Sequence, residues 1–218
     1  MRRRSQQTSG YGRPPKPSSR VGATTSGPID HGPEVTILLA SEHARFRRDM
    51  AELLDEHDAL VRRDALEALA RSLVQHEVAE EAAVYSVVAQ AEGGPALRTE
   101  ALRQERELAA HLARTLRRLA WRPRGRKTRH LLGQLAGVLD THLVFEDSSL
   151  IPLVAALEGE SKRQMMGAWV EHAERFAPTR PHPHGPQRLP GFLSVGVALA
   201  LLDRGRDVGR SLVRGHRR

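Results

Sequence analysis

The sequence predicts an all-α fold, an up-down-up-down four-helix bundle with a disordered N-terminal tail and a C-terminal helical extension. Three observations carry this. From Glu34 onward, apolar residues recur every three or four positions over long stretches, the period of a helix with one buried face. The breaks between those stretches are short and marked by glycine and proline. No stretch alternates with period two for long enough to argue a sheet. The apolar content of 39% is rich in Leu, Ala and Val with only 4% aromatic residues, which suits a helical core.

Taken in order, residues 1–33 are rich in Ser, Gly, Pro and Arg and are expected to be a disordered basic tail. A first helix is expected over 35–57 and a second over 62–92. The stretch "EGGPAL" then ends one helix on glycines and opens the next on Pro95, so a third helix runs over 95–121. "WRPRGRK" breaks the chain again, and a fourth helix is expected over 127–157. A shorter fifth helix, 160–174, precedes "APTRPHPHGP", which cannot be helical. Four long helices with short connections make an antiparallel bundle. The expected organisation is a tail over 1–33, the bundle with its short fifth helix over 34–176, and a Pro/His linker with a basic amphipathic tail over 177–218.

The formal charge of +8 does not belong to the bundle. Residues 31–174 hold 19 basic and 23 acidic side chains, so the excess of positive charge lies at the two ends. Such ends offer sequence-independent contact with nucleic acid or an anionic membrane surface. No specific nucleic-acid partner is expected. A basic-tailed adaptor, with the bundle as a structural body, is therefore one functional alternative; in it Phe192–Leu202 would insert at a membrane surface. "MRRR" is not followed by the apolar stretch of an export signal, and the apolar run 192–202 is too short to span a bilayer. A cytoplasmic protein is expected.

The seams of the helices carry the chemistry. The second helix places Leu66, Leu69, Leu73, His76, Glu80, Val84 and Val87 on one face. The fourth places Leu132, Leu135, Leu139, His142, Glu146, Leu150, Leu153 and Leu157 there. The first offers Leu39, His43, Phe46, Met50 and Leu53. The third offers Ala101, Leu108, His111 or Leu112, and Leu119. Each seam is apolar at both ends and polar near its centre. In an antiparallel bundle those centres meet at one level.

His76 and Glu80 are four apart, as are His142 and Glu146. Side chains at that spacing diverge by only about 40° around a helix. Glu77 aligns with Leu73 and Val84 and is expected to face inward too. The expected inner shell is thus His43, His76, His111 and His142 with Glu77, Glu80 and Glu146. Three buried carboxylates repel one another unless cations neutralise them. With no cysteine in the chain, the donors are nitrogen and oxygen, suiting iron, manganese or zinc. Seven such groups are too many for one tetrahedral zinc and suit two adjacent octahedral ions. His57 and His130 lie near helix ends. His172 is expected on the surface of the short helix, and His182 and His184 in a rigid connector. Tyr85 is read as a core residue near the polar level, and Glu81 and Asp147 as solvated or outer partners.

The segments "HEVAEEAAVYSVV" and "HLVFEDSSLIPLV", each opening on a His-x-x-x-Glu pair, with one further histidine on each of the other two helices, resemble the hemerythrin-like, or HHE cation-binding, family over about 35–158. That resemblance implies two non-haem iron ions held by His43, His76, Glu80, His111, His142 and Glu146. It also implies Glu146 as a bridge and a solvent-derived oxo or hydroxo group as another. The chain has one histidine fewer than respiratory hemerythrins, and Glu77 stands in as an acidic substitute, which argues against reversible oxygen carriage. The implied function is binding, sensing or detoxifying a small oxidant or gas (oxygen, peroxide or nitric oxide), with catalase-like peroxide decomposition as its enzymatic form.

Overall fold

A computed structural model describes residues 33–180 of the 218. All regular structure among them is helical: α1 Val35–Asp55, α2 Ala59–Ala83, α3 Tyr85–Val88, α4 Gly94–Trp121, α5 Arg126–Phe145, α6 Ile151–Leu157 and α7 Glu160–Phe176. A widened π-turn, Glu146–Leu150, joins α5 to α6. The all-α bundle expected from the seams is thus observed. The tail over 1–32 and the segment beyond 180, with His182, His184 and the 192–202 run, lie outside the described residues.

Local chemistry sets the boundaries. α2 starts at Ala59, three residues before the expected position, because the Asp58 side chain caps it. It accepts from the Leu60 and Val61 amides at 2.7 and 3.1 Å, which satisfies two otherwise orphaned donors. Gly93 takes a left-handed φ of 72° before α4, a conformation that costs other residues strain. A Cβ on Gly94 would collide with the Val88 carbonyl oxygen, so the turn requires a bare backbone there.

Two expected helices are interrupted, both next to the polar level. The second helix ends at Ala83 and resumes after Val84 as the single turn α3, instead of running unbroken to 92. The break seats Tyr85 at 0% exposure. The fourth helix opens into the π-turn at Glu146, where the Ile151 amide bonds to the Glu146 carbonyl five residues back. Pro152 follows at once; it lacks an amide hydrogen and cannot continue the regular ladder. Such widened turns recur at functional sites because they re-aim side chains.

The apolar core lies in two clusters. Phe46, Met50, Leu53, Leu66, Leu69, Leu73, Leu108, Leu112, Leu119, Leu132, Leu135, Leu139 and Leu143 fill one. Val35, Leu39, Ala79, Val84, Tyr85, Val88, Ala101, Leu150, Val154, Met166 and Val170 fill the other. His43, His76, His142, Glu80 and Glu146, each at 0% exposure, occur on the helix stretches between the two clusters. The fifth long helix, α7, packs on α1 and α2. Gly167 permits this: a Cβ there would strike the Pro33 carbonyl oxygen. An Arg163–Glu34 ion pair ties the same helix to the entrance of α1. Among the described residues no helix is long and apolar enough to cross a membrane.

Candidate metal centre

Four donor side chains converge from three elements. His43 from α1, His76 and Glu80 from α2, and Glu146 from the π-turn each offer an atom within 4.8 Å of the others. His43 Nε2 lies 3.1 Å from His76 Nε2. Glu80 Oε2 is 3.6 Å from His76 Nε2, and Glu146 Oε2 is 3.5 Å from His43 Nε2. A second group is formed by Glu77, His142 and, again, Glu146. Here His142 Nε2 stands 3.0 Å from both oxygens of Glu77 and 3.5 Å from Glu146 Oε1. Glu146 therefore faces one group with each of its oxygens.

Outer partners orient two of the three rings. His43 Nδ1 lies 2.7 Å from Asp147 Oδ1, and Arg47 holds the other oxygen of that carboxylate at 2.8 Å. His76 Nδ1 lies 2.9 Å from Glu42 Oε2. When Nδ1–H donates to a carboxylate, Nε2 keeps its lone pair and the ring is fixed for ligation. The Nδ1 atom of His142 has no such partner.

The electrostatics report a site short of positive charge. Burial, followed by the charges of Glu146 and Glu77, pushes the Glu80 carboxyl well above its ordinary range. Burial and the charge of Glu77 do the same to Glu105. Burial, the largest influence, opposes ionisation of Glu77 as well, but His142, His76 and His43 together outweigh it and hold that carboxyl low. Burial alone would lower His142, yet Glu77 and Glu146 raise it to about 10. Both oxygens of Glu80, one of Glu146 and one of Glu105 are buried with no N–H or hydroxyl donor, and the contact open to Glu80 is the Glu146 carboxyl, another acid. An orphaned buried carboxylate costs several kcal/mol or more. A nitrogen-and-oxygen donor set with orphaned anionic oxygens fits hard or borderline divalent cations.

Six of the seven expected residues, His43, His76, Glu77, Glu80, His142 and Glu146, stand in these two groups. His111 does not, and this corrects the seam drawn for the third helix. Leu108, Leu112, Thr115 and Leu119 define the buried face of α4. His111 is rotated off it and lines an outer groove with Arg103, Glu107 and Thr141. The side chain that α4 does turn toward the polar level is Glu105, at 8% exposure. The sequence contains its signal: Glu105 is four residues after Ala101, three before Leu108 and seven before Leu112, on the seam itself. Tyr85 also joins the centre. Its hydroxyl donates to Glu146 Oε1 at 2.9 Å, and it hydrogen-bonds Glu105. Asp147, expected as a solvated or outer partner, supports the His43 ring; Glu42, which periodicity did not single out, supports His76.

The chain matches no curated protein and no solved structure. Residues 35–154, covering α1 through most of α6, match the family model described as the hemerythrin HHE cation binding domain. With more than half of its length matched, and a buried His/Glu cluster inside the matched region, this chain belongs to the hemerythrin HHE cation-binding domain family.

Proposed function

We propose that the centre holds two iron ions and that the protein binds, senses or detoxifies a small oxidant or gas: oxygen, peroxide or nitric oxide. The observation that carries this reading is Glu146, whose two oxygens face two separate donor groups, at 3.5 Å from His43 Nε2 and 3.5 Å from His142 Nε2. A carboxylate so placed suits a bridge between adjacent cations. One position would be held by His43, His76, Glu80 and Glu146; the other by Glu77, His142 and Glu146. His111 has no part in it. When bound, such a pair supplies reversible one- and two-electron redox change.

The residues of the chain then do four things. His43 and His76, fixed through their Nδ1 atoms, turn their Nε2 atoms toward the same space. Glu80 and the Oε2 atom of Glu146 balance the charge of the cations, while Glu146 Oε1 also accepts from Tyr85. The two apolar clusters exclude bulk water. Tyr85 holds Glu146 in place and keeps a proton at the edge of the site; burial and the charge of Glu105 raise its phenol well above the ordinary value. An acid-rich donor set favours the oxidised metal and thus sensing or scavenging over reversible carriage.

The test is to expose iron-loaded protein to oxygen, peroxide and nitric oxide in turn, following the near-ultraviolet and visible absorption and, with peroxide, the release of oxygen. A saturable spectral change with at least one of the three is expected. Oxygen release above that of free iron assigns turnover; a spectral change without it assigns binding or sensing. No change with any of the three contradicts the proposal.

A further inference from the structure

Outside the two donor groups stands a third cluster of metal-ligating side chain types. Glu42, His76 and Glu174 each place an atom within 4.8 Å of the others. His76 Nδ1 donates to Glu42 Oε2 at 2.9 Å, so with Nε2 facing the centre it has no lone pair left for a cation on this side. The cluster is therefore a chain of supports, not another ion site. Glu174 comes from α7, beyond the residues 35–154 that match the family model.

We propose that Glu174 is a positioning residue of the metal centre: it holds Glu42, which in turn fixes the His76 ring. The inference rests on the di-iron reading and adds a part of the chain to it. Three contacts carry it. Glu174 hydrogen-bonds Glu42. Gln75 Nε2 donates to the Glu174 main-chain oxygen at 3.1 Å, anchoring the last turn of α7 to the helix that bears His76. α7 packs on α1, which bears Glu42, and on α2. Among the described residues the arginine paired with the Glu42 carboxylate is Arg45, at 3.3 Å and 40% exposed, where water weakens its hold. Two carboxyl groups in hydrogen-bond contact share a proton, so each orders the other, and the Glu42–His76–Glu174 atoms stand within 4.8 Å of one another. The arrangement parallels His43, whose Asp147 is held from behind by Arg47. His142 has neither layer.

The experiment compares full-length Glu174→Ala, Glu174→Leu and Glu174→Gln with wild type. Iron affinity is read by chelator competition, the near-ultraviolet band of the loaded protein is recorded, and thermal midpoints of the metal-free proteins are measured. The alanine and leucine variants should lose roughly 10- to 100-fold in affinity at one iron position, as removal of an outer partner does, with the second position unchanged and the band shifted. Glutamine, whose amide can donate to Glu42, should stay close to wild type. The leucine variant preserves packing, so its metal-free midpoint should match wild type even where alanine's falls. Unchanged affinity in both alanine and leucine variants would overturn the proposal, as would equal losses at both positions that track a fall in the metal-free midpoint. A wild-type protein without iron affinity would overturn the di-iron reading itself, and this inference with it.

Discussion

His43 and His76 turn their Nε2 atoms toward one another at 3.1 Å, while the Nδ1 of each faces a carboxylate. With both Nδ1–H groups donating, the facing Nε2 atoms both carry lone pairs. Glu80 and Glu146 add anionic oxygens within 3.6 Å of those nitrogens. Protons or a cation must sit among them, and four of the nearby groups hold protons above their ordinary range for want of one.

This gives the metal-free protein a characteristic pH dependence. Glu80 and Glu105 are raised well above 4.5, and Glu81 and Glu174 to about 7. A carboxyl raised on folding stabilises fully below its unfolded value and loses that contribution as pH climbs through the folded one. His142, raised from 6.5 to about 10, loses its contribution over a higher window. Glu42, Glu77 and Asp147, lowered on folding, matter only at more acid pH. His43 and His111, both lowered on folding, oppose the trend. Calorimetry should show the metal-free midpoint falling between about pH 5.5 and 8.5, and iron should reduce the fall because the cation replaces the protons at Glu80 and His142, while Glu81 and Glu174 stand outside its donor groups. A metal-free midpoint that rises across that range contradicts this.

The shared carboxylate makes two variants behave differently. Glu146→Ala should abolish loading at both positions, whereas Glu77→Ala should spare the position held by His43, His76 and Glu80. Elemental analysis of the purified variants reads the difference; equal iron content in the two would remove Glu146 from its bridging place.

His111 provides the reverse control. Because it lines an outer groove, His111→Ala should leave iron content unchanged and stability within about 0.5 kcal/mol of wild type. Loss of iron on that substitution would restore the histidine to the centre and displace Glu105 from it.

Gly167→Ala should lower stability by about 1–3 kcal/mol, as overpacking does, because the added methyl meets the Pro33 carbonyl. Denaturant unfolding measures it. An unchanged midpoint would show that α7 docks more loosely than the contact implies.

The bundle was legible because helical periodicity survives in every seam, and the paired His-x-x-x-Glu spacing gave the depth at which polar residues meet. What it could not give was rotation. On α4 His111 and Leu112 differ by about 100° around the helix, and the structure turns Leu112 and Glu105 inward with His111 at the outer groove. The interruptions at Val84 and Glu146 were hidden for a related reason. Their letters read as continuous helix, and only tertiary packing of Tyr85 and the missing amide of Pro152 reveal the breaks. Glu42 and Glu174 were beyond reach, since one support comes from a residue 132 positions away along the chain from the other.

The most direct measurement is the iron content of the purified full-length chain. The account predicts roughly two iron ions per chain, the number its two donor groups can hold, together with a near-ultraviolet charge-transfer band. A folded protein that carries no iron, and takes up none on reconstitution with ferrous ion, would contradict it.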